Sequence, residues 1–337
     1  MNLIKSNSKK VIIIAEAGGN HNGSLKKAYK LVDIAKLAGA DYVKFQTFKA
    51  DTLVSKNAPK AKYQKKNVKN ISHYEIIKKL EMSYDMHIKL IKYCKLKKIK
   101  FLSSPFCIDS FNLLKKFNLD YIKIPSGEIT NLPLLRHIKK FNDNIILSTG
   151  MSSVNEINDA LMILKKKNRK IILLHCNTEY PTPLEDINLN AMITLKKHFN
   201  LEVGYSDHSA GTQVPIVATA LGAKVIEKHF TISNKMEGPD HAASLNPKEL
   251  ISMIKSIRST EIILGKNKKF VSKSEKKNIL IARKSLFAAC DIKKGEKFSF
   301  HNLTCLRPGS GISPMKINKV FRLKAKKNFL KGKLIEI

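Results

Sequence analysis

The 337-residue chain contains no tryptophan and only six arginines, although lysine and arginine together number 62. Proteins that recognise nucleic-acid bases favour arginine, because its planar guanidinium forms paired hydrogen bonds with base edges. A net charge of +35 that is built almost entirely from lysine therefore gives little support for nucleic-acid binding, and we expect no such partner. The positive field does favour small anionic substrates.

Cysteine and long apolar runs are also scarce. The five cysteines are odd in number and lack the paired spacing of a metal site, which indicates free thiols in a reducing compartment. No apolar run approaches the roughly 18 residues of a membrane span, and the first run, Val11–Ala15, is too short for the core of a signal peptide. We therefore expect a cytoplasmic protein with no membrane partner.

Strand-like and helix-like segments alternate along the first 265 residues. No G-x-G-x-x-G motif follows the first strand, which disfavours a doubly wound open sheet. Eight units of strand followed by helix are typical of a (β/α)8 TIM barrel, and we predict that α/β fold for residues 1–265. The eight predicted strands are Val11–Ala15, Asp41–Phe45, Lys100–Ser103, Asp120–Ile124, Asn144–Leu147, Lys170–His175, Leu201–Gly204 and Lys224–Lys228.

Capping residues predict where several helices begin and end. Ser24 can cap a helix that Gly39 ends, and Ser83 can cap the next long helix. Ser153 has Glu156 at the spacing of a capping box.

The segment between the second and third strands is unusually long. It contains the lysine-rich stretch Lys56–Asn70 and then a short predicted helix around Tyr74–Leu80. Loops of this length in compact domains are often lids or interface arms.

The C-terminal part of the chain changes character. Residues 266–280 are polar and predict a linker. Short strand-like runs separated by turn signals then predict a small all-β domain over residues 281–337. A domain of about 55 residues has a marginal core, so we expect it to dock on another surface.

Polar side chains follow all eight predicted strands. Because catalytic groups of TIM barrels lie at the C-terminal ends of the strands, we expect these side chains to converge on one site. Pairs spaced two residues apart should point to the same face of a continuing strand. The strand-end residues are Glu16; Lys44 and Gln46; Ser103 and Ser104; Lys123, Ser126 and Glu128; Ser148 and Thr149; His175 and Asn177; Ser206 and His208; Glu227 and His229.

Lys44 and Lys123 follow apolar strand residues and are expected to be buried. A buried ammonium is costly unless an anion meets it. That anion is either an internal carboxylate, from Glu16, Glu128 or Glu227, or a bound phosphate or carboxylate. Four serines could supply further donors to a phosphate: Ser104, Ser126, Ser148 and Ser206.

His208 and His229 come from the last two strands and could share a divalent metal, with the alternative that both are structural. Asp207, Glu227 and Asp240 are candidate carboxylates for holding water or the histidines. Cys176 lies between His175 and Asn177, so its side chain should point to the opposite face of the strand. We therefore interpret it as a buried packing residue.

Taken together, these motifs resemble the sialic acid synthase family over nearly the whole chain. The C-terminal motif Arg307-Pro308-Gly309-Ser310-Gly311-Ile312 resembles the family's antifreeze-like SAF domain. The barrel motifs that carry the resemblance are Ala15-Glu16-Ala17-Gly18-Gly19-Asn20-His21-Asn22-Gly23, Val43-Lys44-Phe45-Gln46, Phe101-Leu102-Ser103-Ser104-Pro105-Phe106, Lys123-Ile124-Pro125-Ser126-Gly127-Glu128, Leu147-Ser148-Thr149-Gly150-Met151, Gly204-Tyr205-Ser206-Asp207-His208 and Glu227-Lys228-His229-Phe230.

The resemblance implies a transferase that condenses phosphoenolpyruvate with an N-acylated mannose-type sugar and water, releasing phosphate and a nine-carbon 2-keto acid. It also implies a divalent metal, Mn²⁺ or Mg²⁺, and a domain-swapped homodimer in which Arg307 reaches the sugar's acyl group from the partner subunit. The implied roles are catalytic for Glu16, Glu128, Glu227, His208 and His229; metal-binding for His208 and His229; phosphoenolpyruvate-binding for Lys44, Ser104, Lys123, Ser126, Ser148 and Ser206; and sugar-binding for Gln46, Asn177, Tyr180, Asp240 and Arg307.

One departure from the family pattern bears on the sugar. Synthases of N-acetylneuraminate often have His-Cys-Thr-Asn-x-Tyr-Pro, whereas this chain has His175-Cys176-Asn177-Thr178-Glu179-Tyr180-Pro181. With Met236-Glu237-Gly238-Pro239-Asp240-His241, this run is more similar to the N,N'-diacetyllegionaminate synthases, whose sugar is a 2,4-diacetamido-2,4,6-trideoxymannose. The alternatives are an N-acetylneuraminate synthase using N-acetylmannosamine, a synthase acting on a phosphorylated aldose, and a polyanion-binding protein.

Overall fold

A computed structural model describes residues 10–60 and 71–337, so most of the lysine-rich stretch Lys56–Asn70 lies outside the described residues. The chain divides into two compact units, Met1–Gly265 and Lys266–Ile337. Among the described residues no helix is long and apolar enough to cross a membrane.

The first unit is built on eight parallel strands in the spatial order β3-β2-β1-β8-β7-β6-β5-β4. The end strands β3 and β4 lie alongside each other, so the sheet curves round into a barrel. This confirms the predicted TIM-barrel fold, with strand ends displaced from their predicted positions by no more than three residues. The strands are β1 Ile12–Gly18, β2 Tyr42–Thr47, β3 Lys100–Pro105, β4 Ile122–Ile124, β5 Ile145–Ser148, β6 Ile171–His175, β7 Glu202–Asp207 and β8 Val225–His229.

Helices follow the strands and cover the outside of the barrel. The predicted caps are confirmed: Ser24 accepts a hydrogen bond from a first-turn amide, Gly39 ends the same helix at φ 84°, and Ser153 forms a capping box with Glu156. The helices of this unit are Leu25–Ala38, Ala50–Leu53, His73–Lys79, Tyr84–Lys97, Ile108–Lys115, Leu132–Lys139, Val154–Leu164, Asn190–Phe199, Gln213–Ala220 and Pro247–Leu264, with 3₁₀ turns at Ser126–Glu128 and Leu184–Asp186.

Side chains alternate between the outer and the inner face of each strand, and they form two separate apolar layers. Outward side chains such as Ile13 pack beneath the helices, while inward ones such as Ile14 fill the barrel interior. One step further along β1, the inward position is Glu16, which is in register with Lys44 on β2. The barrel interior is therefore capped by an ionisable layer at the C-terminal ends of the strands.

The second unit has its own small core around a two-stranded antiparallel sheet, β9 Ser285–Ala288 and β10 Leu303–Leu306. Further isolated β-bridges extend the pairing, including Phe287 with Leu334. The segment predicted as a polar linker carries two short helices, Lys273–Lys276 and Asn278–Ala282, and a further helix spans Ile317–Val320 after a 3₁₀ turn at Pro314–Lys316.

Candidate active site

A cavity of about 240 Å³ lies at the C-terminal ends of the barrel strands. Of the 16 residues to which the family resemblance assigns a role, all but three line it, because inward strand positions converge there. The predicted residues that line it are Glu16, Lys44, Gln46, Ser104, Lys123, Ser126, Ser148, Tyr180, Ser206, His208, Glu227, His229 and Asp240.

Four buried charges form the floor of the cavity. Lys44 Nζ lies 2.8 Å from Glu16 Oε2 and 4.0 Å from Glu227 Oε2, and Lys123 Nζ lies 3.5 Å from Glu227 Oε1. All four side chains are at most 5% exposed. The internal ion pairing that the sequence left open is therefore present, with two lysines beside two glutamates.

Burial and neighbouring charge act differently on the two carboxylates. Burial raises the pKa of Glu16 to about 7, against the opposing effect of Lys44. Burial also acts to raise the pKa of Glu227, but Lys123 and then Lys44 outweigh it and hold the pKa below its ordinary value. Desolvation lowers the pKa of Lys123, whereas Glu16 and Glu227 outweigh desolvation at Lys44 and raise its pKa.

Serine hydroxyls surround this charged floor. Ser104 Oγ lies 3.2 Å from the ammonium of Lys44, and Ser148 Oγ lies 2.7 Å from that of Lys123. Ser206 Oγ donates to Glu227 over 3.0 Å, and Ser126 Oγ accepts from the amide of Gly150. Each predicted serine thus lies beside a charged group or a backbone donor at the cavity.

The two histidines lie together on the β7–β8 side of the cavity. Their ring centroids are 5.6 Å apart, and the Tyr180 hydroxyl is 2.9 Å from His208 Nε2. His208 Nδ1 donates to the carbonyl oxygen of Asn177, which leaves the lone pair on Nε2, where it can accept from the Tyr180 hydroxyl. Burial lowers the pKa of both imidazoles, to about 4 for His208, so both are neutral near pH 7.

These features fit a metal ion with two protein ligands. Neutral imidazole is the form that binds a divalent metal, and His229 Nδ1 is buried without a hydrogen-bond partner. Among the described residues no group of three or more His, Cys, Asp or Glu side chains is arranged to hold a metal. Water and substrate would therefore have to complete the coordination.

Three of these 16 residues do not line the cavity, and neither do the strand-end residues Ser103, Thr149 and His175. Glu128 is buried beside it, where its Oε2 accepts a 2.6 Å hydrogen bond from Asn131, and burial raises its pKa. The Asn177 side chain bonds the backbone of its own loop, at Glu179 and Asp186. The third, Arg307, belongs to the second unit.

Arg307 Nε donates to the carbonyl oxygen of Ala282, within the second unit. Its implied role at the sugar stays a prediction.

The side chains at the end of β6 and just after it face the opposite sides from those predicted. Leu174 faces the barrel interior, so Cys176 and Thr178 line the cavity, whereas His175 faces outward and bonds the carbonyl oxygen of Ile187. Cys176 is buried, as expected, but it faces the cavity rather than away from it: its Sγ lies 3.2 Å from Ser126 Oγ.

Asp207 also points away from the site. Its carboxylate forms a buried ion pair with Lys228 at 2.5 Å and accepts from Ser209, on the outer side of β7 and β8. It is therefore not a carboxylate that holds water in the cavity.

Sequence reasoning missed the apolar part of the cavity. Five apolar side chains line one side of it: Phe48, Ile76, Ile77, Leu80 and Phe106. They follow β2 and β3, and the long segment between these strands was the only signal that could have indicated them.

A barrel with ionisable groups around a cavity at its C-terminal strand ends is the architecture of a barrel enzyme. The model of the NeuB family matches residues 31–269, and that of the SAF domain matches residues 283–336. The chain belongs to the NeuB family.

Named relatives agree with that membership. The chain is 51% identical to the N,N'-diacetyllegionaminic acid synthase of Campylobacter jejuni, over 97% of this chain and 99% of that protein. It is 42% identical to the N,N'-diacetyllegionaminic acid synthase of Legionella pneumophila, over 97% and 94%. The crystal structure of an N-acetylneuraminic acid (sialic acid) synthetase from Leptospira borgpetersenii, in complex with citrate, superposes with a TM-score of 0.73 at 35% identity, covering 80% of this chain and 90% of that one.

Proposed function

We propose that the chain is an N,N'-diacetyllegionaminic acid synthase. It condenses phosphoenolpyruvate with 2,4-diacetamido-2,4,6-trideoxymannose and water, and it releases phosphate. The observation that carries the proposal is the 51% identity to such a synthase along nearly the full length of both chains. The cavity supports it, because the residues that the family motifs supply meet there.

Phosphoenolpyruvate binds on the charged floor in this proposal. Ser104, Ser148 and the two lysines present donors within one buried layer, as a phosphate and a carboxylate require. The lysines are already balanced by Glu16 and Glu227, so a bound trianion needs added positive charge. A divalent metal at the histidines would meet that need.

His208 and His229 would hold the proposed metal, Mn²⁺ or Mg²⁺. When bound, it would polarise the aldehyde carbonyl of the open-chain sugar. Tyr180 contacts His208 directly and lines the cavity with Gln46 and Asp240, so these three side chains are placed to hold the sugar near that point.

The bond changes follow from the two substrates. C3 of phosphoenolpyruvate attacks the aldehyde carbon, whose oxygen takes a proton, and positive charge develops at C2. Water then adds to C2 and loses one proton. The C2–O bond to phosphate breaks as the new C2 hydroxyl becomes the ketone carbonyl, and its proton leaves with phosphate. Glu16 and Glu227 are within the charged floor and are the side chains placed to move a proton or stabilise the cation.

Phosphate release tests the proposal. The enzyme, phosphoenolpyruvate and each of several mannose-type acyl sugars are incubated with Mn²⁺, with chelator, and with chelator followed by Mn²⁺. We expect phosphate release that requires the diacetamido sugar, is abolished by chelation and returns with Mn²⁺. Release without sugar, or full activity in metal-free enzyme, would contradict the substrate or the metal assignment respectively.

A further inference from the structure

One side of the cavity differs sharply from the charged floor. We call it the apolar wall and define it by Phe48, Ile76, Ile77, Leu80 and Phe106. Three of these side chains are buried, and Phe48 and Phe106 pack edge to face with ring centroids 5.8 Å apart. None of the five carries a side-chain hydrogen-bond donor or acceptor, so the wall can contact only apolar groups favourably.

Close packing holds the wall in place. The helix His73–Lys79 lies against the loop after β1, where a Cβ on Gly19 would come within 2.9 Å of Leu80 Cδ1. Glu81 accepts a 2.7 Å hydrogen bond from the amide of Ala50, and Asp51 bonds both Tyr74 and Lys78. The wall is therefore anchored to the end of β2 as well as to β1.

The barrel order places the wall opposite His208 and Tyr180. The wall comes from the segments that follow β2 and β3, whereas His208 and Tyr180 come from β7 and the loop after β6. In a closed barrel of eight strands, β2 and β3 lie opposite β6 and β7 across the cavity. A sugar whose aldehyde lies at the histidines therefore directs its other end, C6, toward the wall.

We propose that the apolar wall receives the C6 methyl group of the sugar and selects 6-deoxy over 6-hydroxy mannose-type sugars, an inference that rests on the proposed function. A methyl group gains contact there. A 6-hydroxyl group would lose its hydrogen bonds to water and find no partner on the wall.

Two sugars that differ only at C6 test the inference: 2,4-diacetamido-2,4,6-trideoxymannose and its 6-hydroxy counterpart, 2,4-diacetamido-2,4-dideoxymannose. The wild-type enzyme should use the 6-deoxy sugar with the higher kcat/KM. In Ile77→Thr, which places a hydroxyl on the half-buried part of the wall, the ratio of the two kcat/KM values should fall about tenfold. The KM for phosphoenolpyruvate should stay unchanged.

Two further variants complete the design. Ile251→Thr makes the same change at an exposed position on the helix Pro247–Leu264, outside the cavity lining, and should leave the ratio unchanged. Phe106→Leu alters the wall without adding a polar group, and should weaken use of the 6-deoxy sugar more than that of the 6-hydroxy sugar.

The outcomes separate the inference from the proposed function. Equal use of both sugars by the wild type, or an unchanged ratio in both wall variants, would overturn the role of the wall and leave the synthase activity standing. An equal loss for both sugars in both variants would also overturn it, because the wall would then be structural. If the wild type releases phosphate with neither sugar, the proposed function fails, and the inference fails with it.

Discussion

Lys44 and Lys123, which we propose bind phosphoenolpyruvate, also form buried ion pairs inside the barrel. Each is buried, and each has a carboxylate within 3.5 Å, so removing either leaves an unbalanced charge in the barrel. The second carboxylate, Glu227, contacts both lysines and Ser206, which makes it the shared member of the group. A variant at this layer therefore has to be measured for folding as well as for activity.

Lys123→Met should abolish use of phosphoenolpyruvate and also destabilise the protein, by up to about 3 kcal/mol, since Glu227 loses a partner. The double variant Lys123→Met/Glu227→Gln removes both charges and should recover most of the lost stability while remaining inactive. Urea unfolding and phosphate release measure the two effects. A single variant as active as the wild type would remove Lys123 from the site.

Lys228→Met is a contrasting variant, because it breaks a buried ion pair, between Lys228 and Asp207, that lies outside the cavity. Lys228 and Asp207 are 1% and 0% exposed and lie on the outer side of β7 and β8. Loss of the ammonium should lower the free energy of unfolding by about 3–5 kcal/mol. The KM for phosphoenolpyruvate, measured below the unfolding temperature, should change little. A large rise in this KM with unchanged stability would show that Lys228 belongs to the site instead.

The alternation of side chains along a strand correctly predicted which residues line the cavity where one face of the strand is marked by polar residues. Lys44 with Gln46, and Ser206 with His208, line the cavity as expected. It failed after β6, because Ile171–Leu174 is apolar on both faces and gives no sign of which face is inward. The sequence therefore placed Cys176 on the wrong face and gave no sign of Thr178.

At the scale of elements, glycine determines how the helix His73–Lys79 approaches the barrel. Gly23 has φ 71°, and a Cβ there would lie 2.6 Å from the carbonyl oxygen of Lys79. Gly211 has a similar φ of 74° with open space around it. An alanine at either position would have the same backbone strain. Only an alanine at position 23 would also meet a close contact, with Lys79.

Gly23→Ala should therefore destabilise more than Gly211→Ala. The positive φ costs about 1 kcal/mol at either position, and the contact with Lys79 adds about 1–3 kcal/mol at Gly23 alone. Because the helix carries the apolar wall, Gly23→Ala should also raise the sugar KM more than the phosphoenolpyruvate KM. Thermal unfolding and steady-state kinetics check this, and equal behaviour of the two variants would contradict it.

The regular elements were predictable because their signals are local. Ser24, Ser83 and Ser153 cap helices as expected, since the cap and its amide lie within three residues. The apolar wall was not predictable, because its helix contacts the loop after β1 through residues more than 50 positions away. Only packing in three dimensions sets such an arrangement.

On the scale of the whole molecule, the role of the second unit remains a prediction. Arg307 is exposed on that unit, next to Pro308. The domain-swapped homodimer implied by the family resemblance would bring it to the partner's barrel, where its planar guanidinium can bind an acyl oxygen.

Mixing two inactive variants tests this arrangement. In a swapped dimer of Arg307→Ala with Lys123→Met chains, one site carries both defects and the other carries neither. Activity should therefore return after subunit exchange, to about half that of the wild type per heterodimer. Exchange verified by mass spectrometry without any return of activity would contradict a role of Arg307 in trans.

A competition experiment tests the central claim most directly. Equal concentrations of 2,4-diacetamido-2,4,6-trideoxymannose and N-acetylmannosamine are given to the enzyme with phosphoenolpyruvate and Mn²⁺, and the nine-carbon acids are quantified by mass spectrometry. The early product ratio equals the ratio of the two kcat/KM values. We predict that the diacetamido product exceeds the other by at least about tenfold. An excess of N-acetylneuraminate, or the absence of either acid, would contradict the assignment as an N,N'-diacetyllegionaminic acid synthase.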